Sequence, residues 1–289
     1  MSSLFAKLKA FAFWTCFLIF VIAITNLKEN SQDSDVQQKI DIALHDFDDE
    51  LKLFSPKGQS LLVLPTGERW SDDYIQQLLK PLYDKSGAFE FTYNHTKTIA
   101  MSAQGVNRSH FLVNAFLEGY QPFTVENVMM PLYVLAQRKT YMLDSIQYSG
   151  REEVWQSSRE AFLFPRGDCE DHALALADWL IAMNEDARVV LGDMDGNGHA
   201  WVVLFKNGKE YLLEATRKNR VERNKPYPLA KLYPDYHPTF MFNRQWFWMN
   251  TGSKYTTDYS GKHWERTSEY SNEAMRDLSS NNSFVTDEL

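Results

Sequence analysis

Cys169, His199 and Glu214 are the residues whose types and spacing could do chemistry together. A thiol attacks carbonyl carbon only as its thiolate, so it needs a base and a setting that favours the anion. The 289-residue chain has two cysteines: Cys16 lies in an apolar run, and Cys169 stands alone beyond it. Cys169 follows the turn residues Pro165-Arg166-Gly167-Asp168 and opens a stretch in which Ala173, Leu176, Ala177 and Leu180 recur at helical spacing. It therefore sits at the first turn of a helix. The unpaired N–H groups and the dipole there favour a thiolate, and the same N–H groups can bind an oxyanion. A lowered thiol pKa is the expectation.

His199 and Glu214 follow in a meander. ARVVLG, HAWVVLF and EYLLEAT read as three strands, joined by DMDGNG and by an Asn207-Gly208 hairpin turn. Symmetric pairing about that turn sets position 216 opposite His199. Glu214, two residues away, shares the face and lies within diagonal reach. A carboxylate there can hold the imidazole in the tautomer that base catalysis needs. Singly, a cysteine at a helix start is usually structural, and a strand histidine is usually surface or satisfied core. The three in one compact unit point to nucleophilic catalysis.

The elements that must position them are legible in part. Val36, Ile40, Leu44, Phe47, Leu51 and Phe54 form one apolar helical stripe. Residues 61–65 read as a strand, Ser71 as the cap of a helix, and 89–101 as one or two strands. Residues 109–119 and 125–147 read as helices, and 217–270 as long loops and short strands covering the core. The divisions are 1–27, an N-terminal membrane anchor or signal segment; 28–124, a helical and strand region; 125–270, the catalytic domain; and 271–289, a polar tail.

Lys7 and Lys9 precede an apolar run over 10–27, which as a helix reaches about 27 Å, close to the ~30 Å of a hydrocarbon core. The expectation is one transmembrane helix, a single pass through the inner (cytoplasmic) membrane, with the catalytic domain in the periplasm or outside. The alternative is secretion after signal cleavage, although Ala23-Ile24-Thr25 fits a cleavage site poorly. The net charge of −8 argues against a nucleic-acid partner, because phosphate neutralisation needs clustered Lys and Arg.

GDCEDHALALADWL, ARVVLG, GHAWVVLF and YLLEAT together resemble the core of the transglutaminase-like superfamily of cysteine peptidases, strongly over about 50 residues and more loosely over 125–225. The resemblance implies an α+β, papain-like fold with the nucleophile at a helix N-terminus packed on an antiparallel sheet. It implies Cys169 as nucleophile, His199 as general base and acid, and Glu214 as third member, where the family usually has Asp. Gln156 or Trp155 stands where related enzymes place an oxyanion donor, although core packing is the simpler use of Trp155.

The chemistry requires no cofactor. Calcium is the ion the resemblance raises, since some relatives bind it through acids beside the nucleophile, here Asp168, Glu170 and Asp171. The simpler reading is that acids at a helix N-terminus favour its dipole. Asp193-Met194-Asp195-Gly196-Asn197-Gly198 opens like an EF-hand loop, but Leu204 stands at its twelfth position, so a hairpin turn that sets up His199 is preferred. The function expected is that of a thiol peptidase or amidase working through a thioester on a protein or peptide substrate. The alternatives are a transglutaminase using an amine acceptor and a non-catalytic binding module of the same fold.

Overall fold

The computed structural model describes residues 34–44, 53–216 and 228–273. The chain divides into two compact units, Met1–Leu51 and Lys52–Leu289. In the first, residues 34–44 form helix α1, supported at i,i+4 spacing by a Gln37–Asp41 hydrogen bond (2.8 Å) and a Lys39–Asp35 ion pair (2.9 Å). Phe47 and Leu51 of the apolar stripe lie outside the described residues.

The second unit begins with β1 (Ser60–Val63), β2 (Arg69–Trp70), α2 (Asp72–Leu79), β3 (Ala88–Tyr93), β4 (Lys97–Gly105) and β5 (His110–Leu112). Next come α3 (Met130–Arg138), β6 (Thr140–Tyr141), α4 (Asp144–Gln147), β7 (Val154–Trp155), α5 (Ser158–Leu163), β8 (Arg166–Gly167) and α6 (Cys169–Ala182). The meander β9 (Asp186–Met194), β10 (Asn197–Lys206) and β11 (Lys209–Leu213) follows, then β12 (Tyr236–Phe242), β13 (Trp246–Asn250) and β14 (Trp264–Asn272). This is a mixed α+β fold.

Eight strands form one antiparallel sheet in the order β11-β10-β9-β12-β13-β14-β1-β2. Helix α6 packs on β9 and β10. On β10, alternation gives Trp201 and Val203 to a cluster with Val190, Leu212, Tyr236, Met241, Trp248, Tyr259 and Trp264, and leaves Ala200, Val202 and Leu204 for the opposite face. Both faces are thus covered, and every residue from Ala200 to Leu204 is buried. A second sheet joins β3, β4 and β5, with β7 parallel to β4. The region 28–124 contributes β1 and β2 to the same sheet as the meander.

The expected membrane placement is corrected here. Among the described residues no helix is long and apolar enough to cross a membrane; the run 10–27 lies outside them. Other expectations change too. Residues 109–119 hold β5 and a 3₁₀ turn, Val113–Phe116, rather than a helix. The helix expected over 125–147 is confined to α3 and the single turn α4. The stretch expected as long loops and short strands covering the core does hold strands, β12, β13 and β14, but they lie in the middle of the large sheet.

Gly192 shows how tightly β9 is held. It pairs with His199 on one side and with Pro238 on the other. A Cβ there would run into the His237 carbonyl oxygen, lie 2.8 Å from Trp201 Cη2 and lie 2.9 Å from Pro238 Cα. Since backbone cannot yield cheaply, Gly192→Ala is expected to destabilise the fold by about 1–3 kcal/mol, read from the urea midpoint. An unchanged midpoint would show that β12 yields freely.

Candidate active site

Cys169 opens α6, with Asp168 as its N-cap residue. The turn before it is fixed from two sides. Strand β6 runs parallel to β8, pairing Thr140 with Arg166 and Tyr141 with Gly167. The Thr140 and Met142 N–H groups donate to Pro165 O (2.8 Å) and Gly167 O (3.0 Å). From the interior, the buried Lys139 ammonium donates to Arg166 O at 2.9 Å and to Gln156 Oε1 at 2.8 Å. A Cβ at Gly167 would meet the Asp171 carboxylate and stand 2.6 Å from Lys139 Nζ, so a larger residue would have to displace these two buried side chains.

On β10, His199 Nε2 lies 2.6 Å from Glu214 Oε2, both side chains about nine-tenths buried (9% and 10% exposed). The Asn207-Gly208 turn has both residues at positive φ, 54° and 67°, as a type I′ hairpin requires. It pairs Val202 with Leu213, and that register carries His199 and Glu214 to the diagonal expected. Strand β11 ends at Leu213, so Glu214 leaves the ladder and is held by side-chain partners. Thr216 donates its N–H (3.0 Å) and hydroxyl (2.5 Å) to Oε1, and Tyr236 Oη donates to Oε2 at 3.3 Å. Burial pushes the Glu214 carboxyl up, but the His199 hydrogen bond and charge, with the two Thr216 bonds, outweigh it and hold the pKa below the usual value. The imidazole stacks on Trp201 at 6.1 Å and tilts against Tyr236 at 6.0 Å. Tyr236 and Thr216 carried no sequence signal for this role.

The thiol and the histidine strand come together near Ala200, whose backbone favours the Cys169 thiolate and lowers its pKa. The thiol donates to Glu170 Oε2 at 3.3 Å. Its pKa contradicts the sequence expectation. Burial, followed by the charge of Asp168, pushes the Cys169 thiol up to about 12. The helix N-terminus does favour an anion, but loss of solvent and adjacent negative charge outweigh it.

Those acids form a definite arrangement. Asp144, Asp168 and Glu170 are all buried, with carboxylate oxygens within 4.8 Å of one another. Asp144 Oδ1, Asp168 Oδ1 and Glu170 Oε1 are buried with no hydrogen-bond partner. Burial raises all three; the charge of Asp168 adds to it at Asp144, which reaches about 8, and the charges of Cys169 and Asp168 add to it at Glu170. Orphaned carboxylate oxygens in one cluster are a donor set that suits a hard divalent cation such as calcium. Asp171, expected in this group, instead accepts the Gln156 N–H at 2.8 Å and faces Lys139. Asp144, distant in sequence, stands with Asp168 and Glu170.

The two expected oxyanion donors are otherwise engaged. Gln156 Nε2 donates to Tyr148 Oη (3.0 Å) and Arg166 O (2.9 Å), and its oxygen accepts from Lys139. The Trp155 indole N–H points to Glu153 Oε2 (3.4 Å), and the buried ring stacks on Phe242 at 6.2 Å. The donors left are the backbone N–H groups of the first turn of α6, which an α-helix leaves without intrahelical partners.

Residues 153–270 match the family model of the CEP76 peptidase-like domain. No curated protein matches the chain in sequence. Among solved structures, Legionella pneumophila LapG is similar at 18% identity, covering 48% of this chain and 75% of that one, with a TM-score of 0.36. Its calcium-bound form is similar at 17% identity, covering 56% and 85%, with the same TM-score of 0.36. Likeness this loose gives no residue-by-residue correspondence.

Proposed function

We propose that this chain, whose residues 153–270 match the CEP76 peptidase-like domain model, is a thiol hydrolase of the transglutaminase-like cysteine peptidase superfamily, cleaving peptide or amide bonds. The observation that carries the reading is the His199–Glu214 pair at 2.6 Å, with His199 next in sequence to Ala200, whose backbone favours the Cys169 thiolate. With Nε2–H donated to Glu214, Nδ1 is the nitrogen that takes the thiol proton. The thiolate then attacks the carbonyl carbon, and its C=O electrons move to oxygen, where the α6 N–H groups stabilise the charge. Collapse breaks the C–N bond as His199 returns the proton to the leaving amine, leaving a thioester on Cys169. His199 next takes a proton from water, the hydroxide attacks the thioester, and the carboxylic acid leaves as the thiol is reprotonated.

Asp144, Asp168 and Glu170 hold a calcium ion in this reading, with Asp171 serving the Lys139 strut. Bound there, the ion supplies positive charge that offsets the carboxylates crowding the thiol.

Incubation with an activated peptide ester or anilide tests the chemistry. Intact mass should show an acyl adduct on Cys169, absent from Cys169→Ala. A wild-type chain that is never acylated, or a Cys169→Ala chain that still hydrolyses, would sink the proposal. For the ion, calcium at about a hundredfold above its dissociation constant should stabilise the fold by about 2.7 kcal/mol, visible as a raised Tm that Asp144→Asn removes. No calcium-dependent shift in Tm would refute the site.

A further inference from the structure

Away from the thiol, a cavity of about 370 Å³ is lined by Phe54, Pro56, Lys57, Glu118, Tyr120 and Arg159, and the proposed chemistry does not use it. Its wall is fixed by hydrogen bonds. The Phe54 N–H donates to Glu160 Oε1 (2.7 Å), and the Phe54 carbonyl accepts from Asn107 Nδ2 (2.9 Å). The Glu118 N–H donates to Ser158 Oγ (3.4 Å), and the Tyr120 N–H to Asp178 Oδ2 (2.8 Å). Asp178 stands nine residues beyond Cys169 on α6, about 14 Å along the helix axis. The cavity is a place apart from the nucleophile.

Its lining carries charges of both signs. Glu118 Oε1 accepts from Ser157 Oγ at 2.8 Å, one bond for a carboxylate that can accept about four. Burial pushes the Glu118 carboxyl up to about 6; the Ser157 bond and, most weakly, the charge of Arg159 oppose this. Arg159 thus acts on the acid through space only, and its guanidinium lies 6.0 Å from the centre of the Tyr120 ring. The neighbouring acids are committed elsewhere. Glu160 accepts from the Phe54 and Ser157 N–H groups, and Asp178 from Ser158 Oγ, the Tyr120 N–H and Arg244 Nε. A hard divalent cation, which takes six or more oxygens, would therefore find one acid here, whereas an ammonium group needs no more. Lys57 and Arg159 are exposed, and Glu118 is set deeper. A carboxylate at depth and two cations nearer solvent complement a ligand that leads with an ammonium and trails a carboxylate, and Phe54 and Pro56 offer apolar surface to its side chain.

We infer that this cavity binds a free α-amino acid with an apolar side chain, its ammonium on Glu118 and its carboxylate on Arg159 and Lys57. The site stands whether or not the chain hydrolyses peptides. Equilibrium dialysis of the full chain against L-leucine tests it, with leucinamide and N-acetyl-leucine as probes that lack the carboxylate or the ammonium. Leucine should bind about 10-fold to 100-fold more tightly than either, the equivalent of one lost hydrogen bond to a charge. Glu118→Gln and Arg159→Met should each weaken leucine binding by a similar factor. Arg159 is exposed, so its replacement empties no core and keeps the test sound if Glu118→Gln fails to fold. Cys169→Ala should bind leucine as the wild type does. No leucine bound at about 10 mM, or either derivative bound as tightly as leucine, would overturn the site. So would binding kept in Arg159→Met, or binding lost in Cys169→Ala, which would move the ligand to the thiol.

Discussion

Replacing Lys139 by Met is expected to destabilise the fold by about 3–5 kcal/mol, the largest loss anticipated for a residue outside the proposed chemistry. Lys139 is 1% exposed, and its ammonium bonds Gln156 Oε1, Arg166 O and, at 3.4 Å, Phe164 O. Burial lowers its pKa to about 8, opposed by the charges of Asp171 and Asp168. Methionine matches the length of the side chain but removes every donor. Phe164 O and Gln156 Oε1 would lose this donor, Arg166 O would keep only its bond from Gln156 Nε2, and the buried Asp171 would lose the Lys139 charge that opposes its raised pKa. The urea midpoint measures the loss. Adding Asp171→Asn should recover part of it, because the second change removes the charge that the first had stranded. A drop below about 1 kcal/mol, or simple additivity of the two changes, would mean the ammonium is not the strut described.

The same neighbourhood shows what the sequence could reveal and what it could not. The β10–β11 hairpin was readable because Asn207-Gly208 fixes its register, and a period of two fixes which residues share a face. Helix α6 was readable from apolar spacing after a turn. Strands β12 and β13 were not, because Met241, Phe242 and Phe247 are wholly buried, and a strand covered on both faces loses its alternation. The same reason hid β5 and its 3₁₀ turn, where every residue from His110 to Phe116 is buried. In the candidate site, Cys169, His199 and Glu214 could be related because each lies on an element adjacent in sequence. Asp144 and Tyr236 arrive from elements remote in sequence, so no spacing could place them. The thiol pKa was misjudged in sign because a local argument from the helix dipole omits burial, which is the largest cause. The Gln156 amide was misjudged because its three partners, Lys139, Tyr148 and Arg166, are visible only in three dimensions.

Glu214→Gln should reduce the rate of Cys169 acylation nearly as far as His199→Ala, by about 10²–10⁴, although it preserves the shape of the side chain. The reason lies in who donates to whom. Glu214 Oε1 accepts two hydrogens from Thr216, and Oε2 accepts from His199 Nε2 and Tyr236 Oη. All four contacts need an acceptor. An amide must turn its NH₂ toward one pair, and Thr216, with two donors at 3.0 Å and 2.5 Å, keeps the carbonyl oxygen. The NH₂ then faces His199 Nε2, which must become the acceptor. Its proton moves to Nδ1, the nitrogen that should take the proton from sulfur, and the base is disabled without being removed. Glu214→Asp should lose less, because a shorter carboxylate still accepts. Tyr236→Phe removes the longest of the four contacts and should lower the rate by only about tenfold, the equivalent of one weak hydrogen bond to a charge. Single-turnover acylation at saturating substrate separates these effects from binding. The ordering Gln far below Asp, with Phe at 236 nearest to wild type, follows from tautomer control. Equal loss in Glu214→Gln and Glu214→Asp would instead indicate that the carboxylate matters for packing alone.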